Sequence, residues 1–231
     1  MSPEGVVVPV RCIAHRGFAD RFPENTPSAV RRAVELGADA VEIDVRRCGS
    51  GEVVAVHDET VDRVTDTTGR VADLSAGRLA SLDVLGSGEG VPTLVDLLAR
   101  LPGGVTANVE LKERGLAGDV LEAGTAHDTD LLVSSFDTAA LEEAAAVRPA
   151  PLAVLFADEP AATLTEAREL GCVAVHPHVD LCSPAFVERA HDAGFEVNAW
   201  TVGSGETARS LAAAGVDGLI SDAPEYCPGG R

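Results

Sequence analysis

With 231 residues, 45% of them hydrophobic and 24% charged, the chain has ordinary globular composition and is long enough for one large domain or two small ones. Its formal net charge of −19 argues against nucleic acid or an anionic membrane surface as a partner, and any anionic small substrate would need local positive charge. The five cysteines (Cys12, Cys48, Cys172, Cys182 and Cys227) are odd in number and scattered, with no C-x-x-C pair, which suits reduced, mostly buried thiols of a cytoplasmic protein. The start, Met1-Ser2-Pro3-Glu4-Gly5, has no basic region, and no apolar run approaches about 18 residues, so neither a signal peptide nor a membrane span is expected.

Residues 6–13 form a β-rich run ending at Ala14-His15-Arg16-Gly17. A turn-rich stretch follows, then an amphipathic helix over 27–36, with Asn25 or Thr26 as N-cap and Pro27 at the first helical position. Gly37 ends it, and Val41-Glu42-Ile43-Asp44-Val45 reads as the next strand, so strand, helix and strand have the size of a βαβ unit. Further strand-like runs lie at 105–111, 131–136, 152–156, 173–176, 195–201 and 217–220. Helical patterns at 116–125, 138–147, 161–170, 184–193 and 206–214 separate them, and Gly171, Gly194 and Gly215 suit helix C-caps. This alternation reads as a closed (β/α)₈ barrel, an α/β fold of the TIM-barrel type. A doubly wound open sheet is the alternative, but no G-x-G-x-x-G follows the first strand.

The rhythm breaks once, between Asp44 and Val105, where about sixty residues are too many for one βα unit. A hairpin-like stretch 49–57 leads into a polar segment, and a helix over 94–101, introduced by Pro92-Thr93, restores the order. Residues 1–231 are therefore expected to form a single barrel domain with an insertion at about 58–91.

Active sites of such barrels form at the C-terminal ends of the strands. His15-Arg16 ends the first strand, Glu42 and Asp44 the second, and Glu110-Leu111-Lys112 the third; Ser135-Phe136, His176 and Asn198-Ala199-Trp200 end later ones. Alternation places Glu42 and Asp44 on one face, and Asn108, Glu110 and Lys112 on one face. Neighbouring buried carboxylates repel and lose hydration, a cost that a bound divalent cation would offset; solvated edge-strand carboxylates are the plainer reading. Seventeen arginines stand against the single Lys112, which marks either a need for a compact ammonium or chance. Three carboxylates suit Mg²⁺ or Ca²⁺, Lys112 and Arg16 can hold a phosphate, and two histidines can move protons, which together point to phosphate-ester chemistry. Taken alone, His57 in a hairpin is more often a solvated turn residue, His127 and His191 read as structural, and His176-Pro177-His178 is a pocket wall or a metal ligand, with pocket wall the favoured reading.

His15-Arg16-Gly17, Pro23-Glu24-Asn25-Thr26, Glu42-Ile43-Asp44-Val45, His57-Asp58, Pro92-Thr93-Leu94, Glu110-Leu111-Lys112, Ser135-Phe136, Trp200-Thr201-Val202 and Gly215-Val216-Asp217-Gly218 occur in this order. The set resembles the glycerophosphodiester phosphodiesterase family over nearly the whole chain. The resemblance implies a (β/α)₈ barrel with an insertion after the second strand. It implies Glu42, Asp44 and Glu110 as ligands of one divalent cation, Mg²⁺ or Ca²⁺, and His15 and His57 as the acid–base pair. Arg16 and Lys112 would bind phosphate, and Phe136 and Trp200 would wall the pocket. The expected substrate is a small-molecule glycerophosphodiester, with no nucleic acid and no stable membrane association. Gly203-Ser204 departs from the asparagine common after that valine, and the short tail after Pro224 leaves little room for an eighth helix. A Schiff-base barrel using Lys112, a binding-only relative and a lysophospholipid-cleaving relative are the competing readings.

Overall fold

The computed structural model describes residues 9–228, so the expected strand residues 6–8 and residues 1–5, where no signal peptide is expected, lie outside the described residues. Eight parallel strands close into a barrel: β1 (Arg11–Ala14), β2 (Ala40–Arg47), β4 (Thr106–Leu111), β5 (Leu131–Ser135), β6 (Leu152–Phe156), β7 (Ala174–Pro177), β8 (Glu196–Val202) and β9 (Gly218–Ser221). A short β3 (Val53–Ala55) pairs antiparallel with β2 and completes the expected hairpin. Closure runs through β1, which pairs with β9 from Arg11↔Gly218 to Ala14↔Ser221 and with β2 at Ile13↔Ala40 and Ala14↔Val41.

Period-two alternation sorts the strand side chains. Val41, Ile43 and Val45 of β2, with Val109 and Leu111 of β4, join the main apolar core between strands and helices. Their neighbours Glu42, Asp44, Asn108 and Glu110 therefore point toward the barrel axis. The outer ring consists of α1 (Pro27–Glu35), α3 (Leu94–Leu98), α4 (Ala117–Ala126), α5 (Thr138–Val147), α6 (Pro160–Glu169), α7 (Pro184–Asp192) and α8 (Gly205–Ala214); α2 (Ala76–Leu79) belongs to the insertion. Thr26 caps α1 by accepting from the Ala29 N–H, with Pro27 behind it, and Asn25 is left to another task. Gly171, Gly194 and Gly215 take φ of 69°, 91° and 92° just past their helices, the left-handed C-cap conformation. The helix α3 is shorter than the 94–101 pattern. It starts on a Thr93–Asp96 capping box but tightens into turns before Pro102, whose ring drives the preceding residue out of the helical region.

Residues 58–91 carry a small core of their own, in which Val61, Val64, Val71, Leu79, Leu82, Val84 and Val91 pack on Val54 and Val56 of the hairpin. This holds the insertion against the upper end of β2 and β3, beside the strand ends. After β9 there is no eighth helix among the described residues, only a 3-10 turn at Pro224–Tyr226.

A disulfide joins Cys12 to Cys227, with a Cα–Cα distance of 5.2 Å. The expectation of reduced thiols throughout is therefore corrected. Residues 215 apart in sequence meet because β1 and β9 are barrel neighbours, so the tail returning from β9 passes β1. Cys48, Cys172 and Cys182 remain free and buried. Disulfides persist in oxidising compartments, so the cysteines no longer argue for a reducing one.

Candidate active site

His15 and Arg16 lie in a 3-10 turn directly after β1. The turn is tight. Arg16, Phe18 and Asn25 have φ of 50°, 70° and 55°, left-handed values that cost free energy in non-glycine residues and concentrate where function demands them. Gly17 between them has φ 81°, and a Cβ there would stand 2.7 Å from the Cβ of Ala29 on α1. Only glycine allows the turn to press against the helix and aim both neighbours inward.

Below this turn, Glu42, Asp44 and Glu110 converge, each offering an oxygen within 4.8 Å of the others. They are 3%, 0% and 6% exposed, so three carboxylates share a site almost without bulk water. Glu42 Oε1 and Asp44 Oδ1 have no hydrogen-bond partner. Burial and the neighbouring Asp44 carboxylate push the Glu42 carboxyl up to about 8. Burial and Asp44 also raise Glu110, whereas for Asp44 itself the burial penalty is outweighed by Arg16 and Lys112, which hold it low. Buried carboxylate oxygens without partners, on a set of hard ligands, fit a hard divalent cation.

The two cations of the site already lean on these carboxylates. Arg16 Nε stands 3.0 Å from Asp44 Oδ2, an ion-pair distance without hydrogen-bond alignment, and its backbone N–H donates to Glu42 Oε2 at 2.9 Å. Lys112 Nζ donates to Glu110 Oε1 at 2.6 Å and lies 3.5 Å from Asp44 Oδ1. The ammonium at Lys112 thus lies between two carboxylates as a compact point charge, smaller than a planar guanidinium.

Both histidines carry an aspartate on the same ring nitrogen. His15 Nδ1 donates to Asp222 Oδ1 at 2.5 Å, and His57 Nδ1 donates to Asp58 Oδ1 at 2.6 Å. In each ring the tautomer and orientation are set by the carboxylate, leaving Nε2 as the nitrogen that does not contact that aspartate. His15 Nε2 lies 4.0 Å from Glu42 Oε2. Burial would lower the His15 imidazole, but the Asp222 hydrogen bond and the Glu42 charge outweigh it and the group is raised. His57 is lowered, chiefly by burial, with Arg16 and Lys112 adding to it against the opposing pull of Asp44 and Asp58.

The wall beside Lys112 is aromatic. The Phe136 and Trp200 rings meet edge to face at 5.2 Å, His178 packs on Trp200 at 5.2 Å, and Lys112 Nζ lies 5.9 Å over the Phe136 ring. Phe136 is 48% exposed, which leaves part of its ring open to solvent beside Lys112. His176 differs from the expected pocket wall. It is fully buried inside the barrel, accepts from Asn198 Nδ2 at 3.1 Å, and is pushed down to about 3 by burial and Arg11. His191 pairs with Asp217 away from the strand ends, and His127 caps α4.

Several residues of the site escape reading from the sequence. Asp222 follows β9 directly. Asn25 donates to Asp44 Oδ2 at 3.0 Å and accepts from the Asp44 N–H at 3.3 Å, and Glu24 accepts from Arg16 Nη1 at 3.0 Å. Asp222 stands at a strand end, which could have flagged it; Glu24 and Asn25 stood in view as part of a motif, and Asn25 as a candidate N-cap, but with no role at the site.

Comparison with known proteins bears on this geometry. Residues 15–226 match the model of the "Glycerophosphoryl diester phosphodiesterase family". A glycerophosphodiester phosphodiesterase of Caldanaerobacter subterraneus subsp. tengcongensis is 32% identical over 92% of this chain and 94% of its own length. Among solved structures, a phosphodiesterase of Oleispira antarctica, in complex with the product sn-glycerol-3-phosphate, is similar with a TM-score of 0.86 and 31% identity, over 94% of this chain and 93% of that one. A glycerophosphodiester phosphodiesterase of Thermotoga maritima is similar with a TM-score of 0.81 and 26% identity, over 92% and 94% of the two chains.

Proposed function

The chain belongs to the glycerophosphoryl diester phosphodiesterase family, an enzyme family that hydrolyses glycerophosphodiesters, and from that premise we propose a division of labour at its strand ends. The products are glycerol 3-phosphate and an alcohol. Glu42, Asp44 and Glu110 would hold one divalent cation, Mg²⁺ or Ca²⁺, and their unpartnered buried oxygens support this assignment. Such a cation supplies positive charge that draws phosphate oxygens into the site and offsets charge developing on them.

Lys112 and Arg16 bind the phosphate beside the triad, giving a chain of net charge −19 the local positive charge that an anionic substrate requires. His15 and His57 move the protons: one takes the proton of the attacking hydroxyl and the other protonates the departing alkoxide. The observation that carries this reading is the matched pair of Nδ1–aspartate contacts, His15–Asp222 and His57–Asp58, which readies two Nε2 atoms at one site. Phe136 and Trp200 wall the pocket on the carbon side of the substrate. The attacking group is the glycerol hydroxyl next to the esterified carbon, because a tethered nucleophile gains an entropic advantage of several kcal/mol over water. It displaces the alcohol to leave a cyclic phosphate, and water then opens that ring at the newly formed P–O bond, returning the proton to the hydroxyl and giving glycerol 3-phosphate. The glycerol 3-phosphate bound by the Oleispira antarctica relative supports the product assignment.

The test is a coupled assay for glycerol 3-phosphate released from several glycerophosphodiesters, after chelation and after return of Mg²⁺ or Ca²⁺. Release that depends on the returned cation is the expected result, and full activity in excess chelator would sink the cation assignment. Glycerophosphocholine and its analogue lacking the neighbouring hydroxyl separate the nucleophiles. Loss of turnover with binding kept, and a transient cyclic phosphate by phosphorus NMR, are expected; equal turnover would assign the attack to water.

A further inference from the structure

The insertion has its own core, yet one of its side chains reaches out of it into the site. Arg63 Nε donates to Asp58 Oδ2 at 2.6 Å, while Nη1 and Nη2 donate to Glu24 Oε2 and Oε1 at 2.6 and 2.9 Å. Each of these carboxylates has a second client. The other oxygen of Asp58 holds His57 Nδ1 at 2.6 Å, and Glu24 Oε1 also accepts from Arg16 Nη1 at 3.0 Å. Glu24 is nearly buried, with its side chain 9% exposed, so its two guanidinium partners meet largely out of water. Elsewhere in the insertion, Arg70 makes only one long contact, 3.3 Å to Glu59, with both side chains over 60% exposed. Surface pairs of that kind contribute little.

We propose that Arg63 is a positioning residue for the reaction: it fixes Asp58, and through it the ring of His57, and fixes Glu24, and through it the guanidinium of Arg16. The inference rests on the reading that His57 moves a proton and Arg16 binds phosphate. One planar fork serves two carboxylates at once, three donors to three oxygens in a fixed geometry that the single compact ammonium of a lysine does not reproduce. Without Arg63, Asp58 keeps one partner and can swing with the loop, so the His57 ring loses its fixed azimuth. Glu24, relieved of two bonds, follows Arg16 instead of holding it. The folded insertion thereby completes a site whose other parts stand on the barrel.

The test separates these two arms. Arg63→Gln is expected to lower kcat about 10–100-fold, the range usual for a partner that orients an acting group, and to raise KM. Asp58→Asn should reproduce mainly the kcat loss and Glu24→Gln mainly the KM rise. Adding Arg63→Gln to Asp58→Asn should cost little further kcat, because both changes break one chain of contacts. Arg63→Lys should fall between wild type and Arg63→Gln, and Arg70→Gln should match wild type. A readout without turnover is the downfield proton signal of the His57 Nδ1–H, assigned by its loss in His57→Ala. It should broaden or vanish in Arg63→Gln, while the His15 signal persists. Unchanged kcat and an unchanged His57 signal in folded Arg63→Gln would overturn the proposal, as would fully additive losses that track only a lower Tm. If Arg63→Gln does not fold, Arg63→Lys carries the same comparisons. If the wild type releases no glycerol 3-phosphate from any diester, the functional reading fails, while the His57 signal still decides whether Arg63 fixes that ring.

Discussion

Replacing Glu42 with glutamine is expected to make the cation-free protein more stable at alkaline pH while removing its response to cation. In the folded chain the Glu42 carboxyl stands at about 8, against an ordinary value of 4.5. Between those values the folded state keeps a proton that the unfolded chain has released, so stability falls as pH rises through that window and levels off above it. At about 1.4 kcal/mol per pH unit the full difference is up to about 5 kcal/mol, and partial relaxation of the site makes roughly 3 kcal/mol a working figure. For a chain of this size that corresponds to a Tm lower by roughly 10 °C at pH 8.5 than at pH 5, in chelator. His15, whose group is raised, contributes in the same direction, and His57, which is lowered, in the opposite one. The Glu42 part is therefore read as the difference between wild type and Glu42→Gln. Cation at a hundred times its Kd at pH 8.5 would return about 2.7 kcal/mol to the wild type there, and the same concentration would return less at pH 5, where protons compete for the carboxylates. The assay is thermal unfolding at both pH values, with chelator and with Mg²⁺ or Ca²⁺, alongside release of glycerol 3-phosphate. The reasoning is refuted if wild-type Tm in chelator does not depend on pH, or if Glu42→Gln is the less stable protein at pH 8.5, or if it keeps the cation response.

His15→Ala and His57→Ala should each lower turnover roughly 10²–10⁴-fold, while His191→Ala, at a histidine paired with Asp217, leaves kcat near wild type. A near-normal rate for His57→Ala would return it to a solvated turn residue. Lys112→Arg should lose most activity despite keeping its charge, since Lys112 Nζ sits 2.6 Å from Glu110 Oε1 in a space shaped for a point charge; steady-state kinetics with one diester checks this. Under denaturing, non-reducing conditions thiol titration should find three free cysteines and, after reduction, five; Cys227→Ser should cost about 2–5 kcal/mol in denaturant unfolding. Five thiols without reductant would remove the staple.

The sequence by itself determined the strand ends and what stands on them. Glu42 and Asp44 lie two apart, as do Glu110 and Lys112, and strand alternation turns such spacing into a shared face whatever the rest of the chain does. Helix limits were equally local: Thr26 before Pro27, and glycine after α6, α7 and α8, act through hydrogen bonds and φ values within a few residues. Only the tertiary structure decided which distant residues serve those groups. Asp222 reaches His15, and Cys227 reaches Cys12, because the barrel closes β9 against β1. Glu24 and Arg63 meet because the insertion folds back over the first turn, and His176 withdraws from the rim because its ring points into the packed axis. No periodicity records such meetings, since they arise from closure and packing between segments that are remote along the chain. For the same reason the carboxylates and imidazoles were legible as a set, while the aspartates, glutamate and arginine that orient them were not.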